Sequence, residues 1–222
     1  MEQYVKAISP RAEFILVVLT AFGYFIFGSL LSIFYPYPAA PVSEASLQSL
    51  LIYESVVMLI LWKFLSLRGW KLQQLWLVPS VKDTLIGFGL AFVAYIAYLI
   101  VWSISTRFVP GLNEQAGSLV APNLRLGTVL IVSVLNPLFE EIFVCGYVIA
   151  ALFKSRNVSF AVNVSVGIRL AYHLYQGGVG VVSIIPLGFI FAYWYARTGR
   201  LWPVIVAHGI FDFLGLVAFA RM

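Results

Sequence analysis

Charge is what this chain most lacks. Of its 222 residues only 10% are Asp, Glu, Lys or Arg, against 62% hydrophobic; a soluble domain would carry about 25% charged residues. So little polar surface cannot cover a globule in water. A soluble fold is therefore excluded, and lipid must solvate much of the molecule. Cysteine is almost absent too. Cys145 stands alone, so no intrachain disulfide can form and cysteine usage identifies no redox compartment. Repeats, low-complexity tracts and domain boundaries are missing, and the length suits one membrane domain over residues 1–222. The net charge of +5 would by itself suit nucleic acid. The basic residues, however, sit at the ends of apolar runs rather than in one patch, which is membrane-protein usage. Nucleic acid is excluded as a partner on that ground.

What the chain has is apolar runs. A helix needs roughly 20 apolar residues to cross the hydrocarbon core. Seven runs qualify, at about 13–34, 46–66, 84–106, 126–152, 158–175, 179–197 and 201–220. The expected fold is all-α: a polytopic helical membrane protein of about seven transmembrane helices. The first run is too long for the apolar part of a signal peptide and is followed by Tyr35-Pro36-Tyr37-Pro38, so it reads as an uncleaved span. Only Gly177-Gly178 separates the fifth run from the sixth. Counting Lys and Arg with the N-terminus inside puts ten on the cytoplasmic side and three outside, which orients the N-terminus to the cytoplasm. The stretch from Arg68 to Ser80 mixes Trp, Leu and Lys and reads as lying in the cytoplasmic interface. The expected location is a prokaryotic plasma (inner) membrane. The sequence specifies no oligomeric state.

Ionisable groups within a span are costly unless paired or hydrated, so each is a functional candidate. Glu140 and Glu141 lie in the middle of the fourth run and Asp212 in the seventh. Both histidines are intramembrane, His173 in the fifth run and His208 in the seventh. His208 and Asp212 are four apart and share a helix face, as do Arg169 and His173, and Glu141 and Cys145. Glu140 and Glu141 are adjacent and point about 100° apart, so both reach one point only through a distortion. Pro137, which cannot donate to the Ser133 carbonyl, is the candidate cause. Gly146, Gly167, Gly209 and Gly215 would let helices approach closely.

Three chemistries suit this set. A glutamate with water between it and a carbonyl can act as general base, with a histidine or amide stabilising the oxyanion. Two histidines and two acids from different helices could instead bind a metal such as zinc, although HExxH is absent. A chain of Glu, His and Asp could also relay protons in a transporter, though such a fold should show an internal repeat and none is found.

At these residues the chain resembles a known family. Asn136 to Tyr147 reads NPLFEEIFVCGY, the fifth run ends Arg169-Leu-Ala-Tyr-His173, and the seventh contains His208-Gly-Ile-Phe-Asp212. In order and spacing these resemble the EExxxR, FxxxH and HxxxN/D motifs of the CPBP (CAAX protease and bacteriocin-processing, or Abi) intramembrane proteases. The resemblance covers about residues 125–219. It implies a glutamic endopeptidase without cofactor or metal that cleaves a membrane-associated protein or peptide: a CAAX-type prenylated C-terminus, a bacteriocin leader or a C-terminal sorting tail. By position, Glu140 is implied as the base that activates water and His173 as its helper. His208 and Asp212 are the implied oxyanion-side pair, and Glu141 a supporting residue.

The chain departs from the family twice. Cys145 stands where the family has Arg, and Arg169 where it has Phe. One reading makes Arg169 the replacement cation for Glu141 and Cys145 a small filler beside it. Another makes Cys145 the nucleophile of a cysteine-dependent protease or transpeptidase. A non-catalytic membrane binding protein or a transporter is the non-enzyme alternative.

Overall fold

The computed structural model describes residues 7–35, 41–71, 77–153 and 157–220. Helices dominate: α1 (Pro10–Phe34), α2 (Glu44–Leu67), α3 (Val81–Ser105), the short α4 (Leu112–Gly117), α5 (Leu126–Glu140), α6 (Val148–Phe153), α7 (Val158–His173), α8 (Gly177–Thr198) and α9 (Trp202–Ala220). A π-helical stretch, Glu141–Tyr147, joins α5 to α6, and a 3-10 turn, Leu174–Gln176, joins α7 to α8. Among the described residues the only pairing of extended backbone is a single parallel bridge between Val42 and Val120.

Polar caps mark where the apolar runs become helices. Ser9, Ser43, Ser80 and Asn157 each accept a backbone N–H of the first turn that has no partner inside the helix. By length and composition five helical runs can cross a bilayer: Pro10–Phe34, Glu44–Leu67, Val81–Ser105, Leu126–Phe153 and Val158–Thr198; Trp202–Ala218 is a shorter apolar helix. The fifth is not one rod. Gly177 takes φ 60°, a left-handed value open to glycine, and α7 and α8 pack against each other on either side of the 3-10 turn. Every one of the seven apolar runs thus carries a helix. The outer faces of α1 to α3 expose Leu19, Phe27, Ile52, Leu59, Phe88 and Phe92. In water this would be an aggregating surface; in a bilayer it meets lipid.

The core forms around α5 and its π-helical continuation. α9 packs on α3 and α5, α2 on α5, and α1 on α7. Gly209 allows the α5–α9 approach: a Cβ there would lie 2.5 Å from the Ser133 carbonyl oxygen, the oxygen that Pro137 cannot bond. Gly167 and Gly215 have open space around them and do not serve such an approach. The connection between α3 and α5 is tied to the start of α2 through Val42 N–H to Leu119 O (2.7 Å) and Arg125 N–H to Glu44 Oε2 (3.1 Å). At the opposite end, Arg68 pairs with an acid at the start of α1. Its Nε pairs with Glu13 Oε2 at 2.5 Å, while Trp70 Nε1 and Tyr147 Oη donate to Glu13 Oε1 at 2.8 and 3.2 Å. Part of the Arg68–Ser80 stretch, residues 72–76, lies outside the described residues.

Candidate active site

The paired glutamates mark the change from α to π geometry. α5 runs through Pro137 to Glu140, and the π-helix begins at Glu141. π-helical turns are short and occur often at functional sites. Neighbouring side chains satisfy carbonyls that the wider turn presents: Ser165 Oγ donates to Val144 O at 2.6 Å and Tyr195 Oη to Gly146 O at 3.4 Å. The distortion that the glutamate pair requires thus lies at the pair itself, downstream of Pro137.

The two carboxyl groups face different surroundings. Glu141 is 0% exposed and receives both hydrogen bonds of one guanidinium nitrogen, Arg169 Nη2 to Oε1 at 2.6 Å and to Oε2 at 2.7 Å. Arg169 Nη1 reaches Glu140 Oε2 at 3.3 Å. One cation from α7 therefore spans both acids, and Coulombic attraction in a dry interior offsets the desolvation of the group. The Cys145 Sγ lies 3.8 Å from the same Nη2, so the guanidinium occupies the space beside a small side chain. Cys145 is fully buried and does not line the adjoining cavity.

His208 and Asp212 continue the chain of polar contacts on α9. His208 Nδ1 is 2.7 Å from Glu141 Oε1, and its Nε2 is 3.4 Å from Asp212 Oδ1. Asn136 Nδ2 donates to Asp212 Oδ2 at 2.9 Å. Arg169, Glu141, His208, Asp212 and Asn136 thus form one connected line across three helices. Both His208 nitrogens face carboxylates, which places the imidazole within the network rather than on the cavity wall.

The cavity is about 190 Å³, and its walls include Glu140, Asn136, Asp212, His173, Tyr172 and Glu54. This volume takes several waters. Tyr172 Oη donates to Glu140 Oε2 at 2.6 Å. The Tyr172 ring stacks on Phe22 of α1, with centroids 4.7 Å apart and planes 6° apart. His173 Nδ1 lies 2.9 Å from the Arg169 carbonyl oxygen. A carbonyl only accepts, so Nδ1 carries the hydrogen and Nε2 of the neutral ring is an acceptor.

The structure therefore brings Glu140, Glu141, Arg169, Cys145, His173, His208 and Asp212 together, with Glu140, His173 and Asp212 on the cavity and the others behind it. The sequence reading passes over Asn136, Tyr172 and Glu54. Glu54 was detectable, since an acid in the middle of an apolar run is itself a signal. Asn136 and Tyr172 carry no such mark.

Glu140, Glu141 and His208 offer ligand atoms within 4.8 Å of one another, enough to hold a metal ion. The Arg169 guanidinium already bridges the two glutamates, so a divalent cation would have to displace a like charge.

Compared with known proteins, residues 122–214 match the family model described as type II CAAX prenyl endopeptidase Rce1-like. No curated protein and no solved structure matches the chain. The matched segment contains all three motifs and every side chain of the polar line. Over residues 122–214 the chain is thus similar to the type II CAAX prenyl endopeptidases, which supports its resemblance to the CPBP intramembrane proteases.

Proposed function

We propose that the chain is a glutamic endopeptidase that cleaves a membrane-associated protein or peptide with water activated by Glu140. The observation that carries this reading is the division of Glu140's two oxygens. Tyr172 and Arg169 both donate to Oε2, which leaves Oε1 for a water in the cavity. A water there gives one proton to Glu140 and directs its other hydrogen to His173 Nε2. Attack on the scissile carbonyl generates an oxyanion. Asn136 Nδ2 carries two hydrogens and spends one on Asp212; the second stabilises the oxyanion. His208 and Asp212 serve this side by holding the Asn136 amide, and Glu141 and Arg169 fix the far end of the line. The reading is tested with purified protein in lipid vesicles and two peptides, one bearing a C-terminal sorting tail and one a prenylated CAAX C-terminus, followed by mass spectrometry of the fragments. Failure to cut such peptides or any membrane-inserted tail would overturn it.

No metal takes part in this scheme. Chelation is expected to leave turnover unchanged, and elemental analysis of an active preparation to find far less than one ion per chain. Stoichiometric metal whose removal abolishes turnover would replace water activation by Glu140 with metal activation.

The orientation bears on the substrate. The cavity runs from mid-bundle, at Phe22 and Glu54, toward the end where α1 ends and α2 begins, at Val42, Leu47 and Gln176. With the N-terminus in the cytoplasm, that end is external, and the substrate is a sorting tail or leader reached from outside. A reporter fused after Tyr37 is expected to read outside and one after Ser155 inside. The opposite pair of results would turn the cavity to the cytoplasm and leave a cytoplasmic prenylated C-terminus as the substrate.

A further inference from the structure

Glu54 sits in the middle of α2, far in sequence from the three motifs. It is 1% exposed, yet it lines the same cavity as Glu140, Asn136 and Asp212. Its Oε2 is buried and meets no hydrogen-bond partner among the described residues. Native proteins rarely leave a buried polar atom unsatisfied, and an exception at a site points to a role there. Apolar side chains, Phe22, Leu47 and Leu50 among them, share the cavity wall with it. A bare charge is strongly disfavoured in such a setting, and a carboxyl that keeps its proton there is an O–H donor. Nothing in the scheme above uses it.

That scheme lacks one component. Glu140 takes a proton from water, but the departing amide nitrogen must gain one, because an amide anion does not leave. We infer that Glu54 is the general acid of the reaction, the carboxyl that protonates the leaving nitrogen. The inference rests on the peptidase reading above. The water oxygen bonds to the carbonyl carbon as Glu140 accepts one water proton. When the tetrahedral intermediate collapses, the carbon–nitrogen bond breaks, its electron pair stays on nitrogen, and nitrogen takes the Glu54 proton. The products are a carboxylic acid and an amine. The proton held by Glu140 then returns to Glu54 through water in the cavity, which restores both groups. Two carboxyl groups on one cavity, one bonded by Tyr172 and Arg169 and the other with a buried oxygen that meets no partner among the described residues, divide base from acid by their surroundings.

The test compares two substrates that differ only at the scissile linkage, an amide and the corresponding ester. An alkoxide departs with far less need of protonation than an amide nitrogen. Glu54→Gln keeps the size of the side chain but cannot supply the carboxyl proton. It is expected to slow amide cleavage by about 10²-fold or more while ester cleavage stays within about tenfold of the parent. The ratio of amide to ester turnover does not depend on how much of the variant folds, so a less stable variant still gives a decision. Glu54→Asp, which retains the acid at shorter reach, is expected to recover part of the amide rate. Amide cleavage by Glu54→Gln within about tenfold of the parent would show that Glu140 returns the proton itself, and the inference falls. Equal loss on both linkages would make Glu54 a structural residue, and the inference falls again. If the parent protein cleaves neither substrate, the peptidase reading has failed instead. As a control, Glu140→Gln should lose both linkages together.

Discussion

Glu140→Gln is expected to eliminate cleavage while the protein still folds and inserts. The substitution preserves the size of the side chain, and its amide oxygen can still accept from Tyr172 Oη, which donates to Glu140 Oε2 at 2.6 Å. Arg169 keeps its two short hydrogen bonds to Glu141, so the polar line behind the cavity stays paired. Only the capacity to take a proton from water is lost. Removal of a positioned general base costs about 10²–10⁴ in rate, which takes the activity to the detection limit of a vesicle assay. Initial rates on a reconstituted substrate, with a thermal melt of the same preparation, separate lost chemistry from lost fold. Full cleavage by a folded Glu140→Gln variant would place the base elsewhere and end the glutamic mechanism.

Arg169→Ala is expected to be inactive, and a second change at Cys145 to restore part of what is lost. Without Arg169, Glu141 remains completely buried with only His208 beside it, and Glu140 loses one of its two donors. Breaking one side of a buried ion pair costs about 3–5 kcal/mol, enough to disorganise the site and to lower the melting temperature. Cys145 Sγ lies 3.8 Å from the nitrogen that binds Glu141. An arginine built at position 145 therefore starts from the place where the guanidinium is needed, and Arg169→Ala combined with Cys145→Arg should regain measurable cleavage. Cys145→Ala and Cys145→Ser should stay active, since the thiol neither lines the cavity nor reaches water. A thiol reagent should leave the folded protein unlabelled. A dead Cys145→Ala variant together with rapid labelling would favour the nucleophile instead. Full activity in Arg169→Ala would remove the compensation between the two positions.

Some of this was legible in the sequence, and for physical reasons. A bilayer demands long apolar helices, so the runs beginning near residues 13, 46, 84 and 126 announce themselves, and the Gly177-Gly178 pair marks the reversal between α7 and α8. Charges within those runs are rare enough that Glu140, Glu141, Arg169, His173, His208 and Asp212 stand out one by one. Arg169 could be matched to the glutamates from the sequence alone, because it is the one Arg or Lys well inside an apolar run rather than within a few residues of its end. What stayed hidden depends on contacts between distant segments. Tyr172 and Asn136 are ordinary residues in ordinary places, and only the meeting of α5, α7 and α9 gives their polar atoms partners. The Glu13–Arg68 pair joins positions at opposite ends of two helices and has no periodic signature. The π-helix has none either, since its hydrogen bonds differ from those of an α-helix by one residue and the composition of EIFVCGY is that of any apolar helix.

The π-helical stretch also predicts where the chain tolerates changes in length. A π-turn amounts to one extra residue held within an α-helix. Deleting any single residue from 141–147 would let the segment relax into continuous α-helix, with everything on one side rotated by about 100° relative to the other. Glu140 would then turn away from the cavity, or Tyr147 from its contact with Glu13, and the two ends of the molecule could not both stay in register. In natural variants, insertions and deletions should therefore be purged from this segment even where substitutions of its apolar side chains are accepted.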